Sequence, residues 1–413
     1  MLWIELFIMA VLLLSPSHQN ASKEVSAMPS SGKIIPGADN VGDYMNEIKG
    51  KRVGVFANQT SKIGKMHLVD SLLNKGVNIV RIFSPEHGFR GNVDAGEQVN
   101  DGKDIRTGLP IISLYGSHKK PTVADFRGID ILIFDIQDVG ARFYTYISSL
   151  EYFMEAALEN QIPLLILDRP NPNGWYIDGP VLDRKFRSFV GMQPVPIVYG
   201  MTIGEYSLML AGEKWLSPKA NTAFENNKSL VRIIKCGNYS HELRYNLPVN
   251  PSPNLRDMQA IYWYPSTCLF EGTIFSEGRG TEKPFQIIGH PDFSSGPYQF
   301  TPKPDAGAKS SKCFFKLCRG WNLSGSIDEV LKKVDGKIQI SLLMDAYRLF
   351  PGRDSFFIPD NFDQKAGNDI LRKQIMDGIS EKEIRKSWEP GLKKFRAIRK
   401  KYLLYKDFKT QAN

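Results

Sequence analysis

The chain has 413 residues, 42% of them apolar and 23% charged. That is enough to bury a sizeable core, at a length above the ~250–300 residues where a single core stops growing, so two domains are expected. The net charge of +9 is mostly a property of one end, because residues 365–413 hold fourteen Lys and Arg against six Asp and Glu, an excess of eight. Apolar residues recur there at helical spacing, so this charge reads as the solvated face of packed helices, and no nucleic-acid partner is expected.

Taken in chain order, residues 2–14 form an apolar run ahead of a polar stretch. It has signal-peptide length and is too short to span a bilayer. Residues 1–25 are therefore expected to be a leader, and the mature protein to be exported, periplasmic or secreted, with no stable membrane anchor. From residue 51 short β-branched runs alternate with amphipathic stretches: a strand over 52–57, a helix over 66–74 and a strand over 77–83. Strands over 110–115, 129–135 and 162–168 follow, with a helix over 146–160. This is a βαβ pattern, and its near-continuous apolar strands fit a Rossmann-like parallel sheet covered on both faces, in a domain over 34–257. The second domain, 258–413, begins with Gly-rich, aromatic loops and continues with a helix over 338–350 and a basic helical end. The four cysteines, Cys236, Cys268, Cys313 and Cys318, match neither a zinc ribbon nor a redox pair. Cys313 and Cys318 either form a short-loop disulfide or remain free buried thiols.

The polar clusters lie where the strands stop, the edge at which open α/β sheets bind ligands. After the 77–83 strand come Glu86, His87 and Arg90 between glycines and Phe89. Glu86 is the first-choice acid, since Pro85 and Phe89 supply the apolar surroundings that a general acid at neutral pH needs. Asp94 and Glu97 follow on a loop, either able to complete a carboxylate pair. Next come Asp135, Gln137, Asp138, Arg142, Tyr144 and Tyr146, then Asp168, Arg169 and Asn171. Carboxylates and amides that bind hydroxyls, beside aromatic faces, are what a sugar site needs. Asn254 and the loop carrying Glu271, Glu277 and Arg279 extend the set from the start of the second domain, with Arg279 suited to clamp a carboxylate. No phosphate-binding glycine fingerprint and no G-x-S-x-G elbow occurs, so a hydrolase with no cofactor or metal is expected, and an esterase is not.

Several motifs in order carry a resemblance: SPEHGFRG (84–91), DAGE (94–97), FDIQDVGARFYTY (134–146), ILDRPNPNG (166–174), VYGMTIGE (198–205), SPN (252–254), EGTIFSEGRGT (271–281) and FRAIRKKYLLY (395–405). Together they resemble the exo-β-N-acetylmuramidase (NamZ) family, formerly a domain of unknown function, over about residues 38–405. The resemblance implies a Rossmann-like N-terminal domain, a smaller α/β C-terminal domain and an active-site cleft between them. It also implies release of terminal N-acetylmuramic acid (MurNAc) from the non-reducing end of MurNAc-GlcNAc chains, with Glu86 as the catalytic residue. On this reading Glu86 protonates the glycosidic oxygen. Asp135, Asp138 or Asp168 serves as base or nucleophile, or orients a substrate acetamido group that attacks for itself. Arg90, Arg142 and Arg279 compete for the lactyl carboxylate that distinguishes MurNAc from GlcNAc. His87, Gln137, Tyr144, Tyr146, Arg169, Asn171, Asn254, Glu271 and Glu277 complete the expected substrate contacts. The alternative is a non-catalytic exported muropeptide-binding protein using the same cleft.

Overall fold

The runs of Val, Ile, Leu and Phe read as strands do form one sheet in the computed structural model, which describes residues 32–86, 88–91 and 101–409. Its strands are β1 (Arg52–Ala57), β2 (Asn78–Ser84), β3 (Gly102–Lys103), β4 (Pro110–Ser113), β5 (Ile131–Asp135), β6 (Leu164–Leu167) and β7 (Val231–Ile234), in the order β7-β6-β5-β1-β2-β4-β3. All neighbours are parallel except the short β3, which pairs antiparallel with β4. Every residue of β5 and β6 is buried, as expected for strands covered on both faces. The chain runs from β1 outward through β2 and β4, then returns to β5 on β1's other side. The strand order therefore reverses at β1, the place where such sheets open a ligand crevice at their carboxyl edge.

Helices α1 (Leu68–Asn74) and α2 (Tyr146–Glu159) cover the sheet. Residues 66–74 are not helical throughout, because Met66 and His67 form a short ribbon strand with Lys62 and Ile63. The His67 ring then caps α1 by accepting from the Val69 amide. Strand β7 carries an exposed Arg232 and only four residues, which hid it from a reading of the sequence. On α2, Phe153 stacks edge-on with Phe56, Phe83 and Phe126 at ring distances of 4.9, 5.3 and 5.9 Å, which pins the helix over the centre of the sheet.

The second half adds a three-stranded antiparallel sheet of Ile287–His290, Cys318–Asn322 and Tyr298–Phe300, with helices around it. The expected helix at 338–350 spans Ile340–Leu349. The basic C-terminal stretch forms the helix Glu381–Arg399, started by a Ser380–Glu383 capping box, with Ile384, Trp388, Leu392 and Phe395 buried on one face. All four cysteines are free thiols. No described helix is long and apolar enough to cross a membrane.

One buried acid on α2 makes stability depend on pH. Glu151 is fully buried, accepts hydrogen bonds from Gln193 and Arg187, and burial pushes its pKa up to about 7. The folded state thus holds a proton that the unfolded chain releases near its ordinary value. The resulting stabilisation is complete below that value and is lost as pH rises through about 7, by up to roughly 3 kcal/mol. Glu151→Gln should remove this dependence, so that urea midpoints of variant and wild type move in the variant's favour between pH 5 and pH 8.5. A pH-independent difference between the two would contradict it.

Candidate active site

Glu86 lies two residues beyond β2, and its carboxylate is held by groups from two other strand ends. Tyr115, just past β4, donates to Oε1 at 2.8 Å, and Thr145, between β5 and α2, donates to Oε2 at 3.1 Å. The pocket around Glu86 is lined on one side by Phe143, Tyr144, Thr145 and Tyr146 and on the other by Ser252, Asn254, Leu255, Tyr264, Arg279 and Phe285. Its aromatic wall is a chain of edge contacts, Tyr146 to Tyr144 at 4.7 Å, Tyr144 to Tyr264 at 5.9 Å and Tyr264 to Phe285 at 4.8 Å. The two sides are stitched together at Pro251, whose carbonyl accepts from Tyr144 at 2.8 Å and from Gln59 at 3.0 Å. Asn58, directly after β1, donates to Tyr146 at 2.8 Å. The pocket thus sits at the reversal point of the sheet.

Arg279 reaches this pocket from a turn that only glycine permits. Gly278 and Gly280 flank it with φ of +83° and +78°, and a Cβ on Gly280 would lie 2.5 Å from the Lys303 carbonyl oxygen. Arg279 pairs with Glu271 at 2.6 Å and Glu277 at 3.3 Å; Lys365 holds the other oxygen of Glu271 at 3.1 Å, and Lys312 that of Glu277 at 2.9 Å. Burial alone would raise the Glu271 pKa, but the Arg279 and Lys365 cations outweigh it and hold Glu271 well below the usual carboxylate range. Among the described residues, three cations face two carboxylates in this group, leaving it receptive to one more anion.

The other acids of the strand ends are placed elsewhere. Asp135 is fully buried and forms a two-pronged pair with Arg169, at 2.6 and 2.8 Å, whose guanidinium also donates to the Lys62 carbonyl. Asp168, also fully buried, accepts from Thr202 at 2.7 Å, the Gly204 amide at 2.8 Å and Tyr405 at 2.6 Å; burial pushes its pKa up to about 6. Asp138 accepts from Tyr199 and the Gly140 amide, and burial pushes it up to about 6 as well. None of the three lines the Glu86 pocket.

Arg142 is fully buried and donates to the carbonyls of Pro180, Val195 and Lys365, while Arg90 pairs with Asp104 and Asp70. Gln137 donates to the Asp138 and Pro170 carbonyls, and Asn171 to that of Met201. These side chains are engaged with other parts of the protein, and none of them lines the Glu86 pocket. Of the expected contacts, the structure therefore gathers Glu86, Tyr144, Tyr146, Asn254 and Arg279, with Glu271 and Glu277 behind Arg279. His87, Asp94 and Glu97 lie outside the described residues. Tyr115, Thr145 and Tyr264 were missed; Tyr115 stands at a strand end, a position that signals a site residue.

Comparison with known proteins finds matches over most of the chain. Residues 53–259 match the family described as exo-β-N-acetylmuramidase NamZ, N-terminal, and residues 262–405 match its C-terminal counterpart. A protein named peptidoglycan β-N-acetylmuramidase NamZ, from Bacillus subtilis, is 39% identical over 410 residues, covering 95% of this chain and 94% of that one. A crystal structure of a DUF1343 family protein from Bacteroides fragilis superposes with a TM-score of 0.82 at 47% identity, covering 91% of this chain and 100% of that one. A second DUF1343 protein from that organism gives 0.73 at 28% identity, over 90% and 99% of the two chains.

Proposed function

The chain belongs to the exo-β-N-acetylmuramidase NamZ family, and from that membership and the Glu86 pocket we infer that it is a glycoside hydrolase. It releases terminal β-linked MurNAc from the non-reducing end of peptidoglycan fragments. The observation that carries the residue roles is the presence of Glu86 and Arg279 in one aromatic-lined pocket. Aromatic faces bind the apolar faces of a sugar ring, and Glu86 is the acid that protonates the departing glycosidic oxygen. Arg279 takes the lactyl carboxylate, the one anionic group that MurNAc has and GlcNAc lacks, and the surplus cation of its cluster accommodates that charge. Asp135, Asp138 and Asp168 hold the loops beneath. A non-catalytic muropeptide binder has no comparable support, since the matched family and the Bacillus subtilis relative are both described as acetylmuramidases.

The test is colour release from an aryl β-MurNAc glycoside beside the corresponding GlcNAc compound, with turnover expected for the first alone. Arg279→Lys keeps a cation between Glu271 and Glu277 but loses the planar fork. It should lower kcat/KM for the MurNAc glycoside by about 10-fold or more and so compress the preference over GlcNAc. An unchanged preference would remove Arg279 from the lactyl site. We further propose that the protein acts after export, in the periplasm or outside the cell, on the strength of the apolar run over residues 2–14. An unprocessed N-terminus on protein recovered from the producing cell would count against it.

A further inference from the structure

Asn254 is 1% exposed, lines the pocket, and uses only half of its amide. Its Nδ2 donates to the Gly307 carbonyl at 2.6 Å, which fixes the orientation of the group. Gly307 has a φ of +100°, and a Cβ there would lie 2.7 Å from the Pro253 side chain, so the close approach that grips Nδ2 depends on glycine. With the amide so fixed, Oδ1 is a buried acceptor that finds no donor among the described residues. A buried acceptor left without a donor is costly, and at the wall of a binding pocket a ligand N–H or O–H satisfies it.

The position of Asn254 relative to Arg279 narrows the ligand group. Arg256 holds both of their loops, donating to the Pro253 carbonyl at 2.9 Å and the Thr281 carbonyl at 3.1 Å, and it anchors Asp305 beside Gly307 at 2.6 Å. The clamp for the substituent on C3 of the sugar and the unfilled acceptor are therefore fixed in mutual register. The substituent next to C3 is the acetamido group on C2, whose nitrogen is a donor and whose methyl suits Leu255, Tyr264 and Phe285 in the same lining. We propose that Asn254 is a specificity-determining residue that reads the 2-acetamido group of MurNAc, its Oδ1 accepting the amide N–H. This rests on the glycosidase reading above and deepens it.

The experiment compares two aryl β-glycosides that both carry the 3-O-lactyl group, one with the natural 2-acetamido group and one with a 2-O-acetyl ester. The ester has almost the same shape and replaces the N–H by an oxygen that cannot donate. Wild type should favour the amide by about 10- to 100-fold in kcat/KM. Asn254→Ala should lose a similar factor on the amide and turn over both substrates at nearly equal efficiency. Asn254→Ser, whose hydroxyl is too short to reach, replaces it if the alanine variant does not fold. An amide preference that survives in the variants, or that is missing from wild type, overturns the inference while leaving the glycosidase reading intact. Absence of turnover of either compound by wild type overturns both.

Discussion

Glu86→Gln should fold normally, bind substrate and lose about 10²- to 10⁴-fold in kcat on the MurNAc-GlcNAc disaccharide. The substitution is nearly isosteric. Tyr115 can still donate to the remaining carbonyl oxygen, and the Thr145 hydroxyl can rotate to accept from the new amide, so both contacts of the carboxylate survive in altered form. What disappears is a transferable proton. A sugar hydroxyl leaves poorly as an alkoxide and needs that proton, whereas a nitrophenolate leaves without it. The loss should therefore be markedly larger for the disaccharide than for a nitrophenyl β-MurNAc glycoside. This split identifies the acid itself, because a misfolded pocket or a lost binding contact would depress both substrates alike. Equal losses on the two would assign Glu86 to a different step.

Much of this site was legible because its residues stand at strand ends, and the boundaries of strands are written in short apolar runs. Glu86 follows β2, Tyr144 and Tyr146 follow β5, and Arg279 sits between two glycines whose positive φ marks a turn. The same reasoning puts Glu86 first but leaves Asp135, Asp138 and Asp168 all open for the second catalytic role, because they too stand at or just past strand ends and carry a carboxylate. The difference lies in partners remote in sequence: Arg169 is 34 residues from Asp135, Tyr199 is 61 from Asp138, and Tyr405 is 237 from Asp168. Local composition contains no trace of such pairings. Arg142 misled for the same reason, since its three carbonyl partners come from distant segments. Tyr264 was hidden differently. It lies inside the helix Met258–Thr267 among residues that read as core, and only packing against Tyr144 and Phe285 reveals it as pocket wall.

Removing either partner of the Asp135–Arg169 pair should cost about 3–5 kcal/mol of stability, because the survivor is a buried charge without its partner. Both side chains are almost inaccessible, at 0% and 3% exposure, and the pair bridges the ends of β5 and β6 beneath the pocket. Two single variants, Asp135→Leu and Arg169→Met, should each lower the urea midpoint strongly. The double variant should recover most of the loss, since an apolar pair of similar volume avoids the desolvation that the ion pair must offset. The double variant also separates a support from a catalyst. If Asp135 only positions the loops, the recovered protein should recover turnover as well, measured on the folded fraction. A double variant that is stable yet inactive, with substrate binding intact, would return Asp135 to the chemistry as the partner of Glu86.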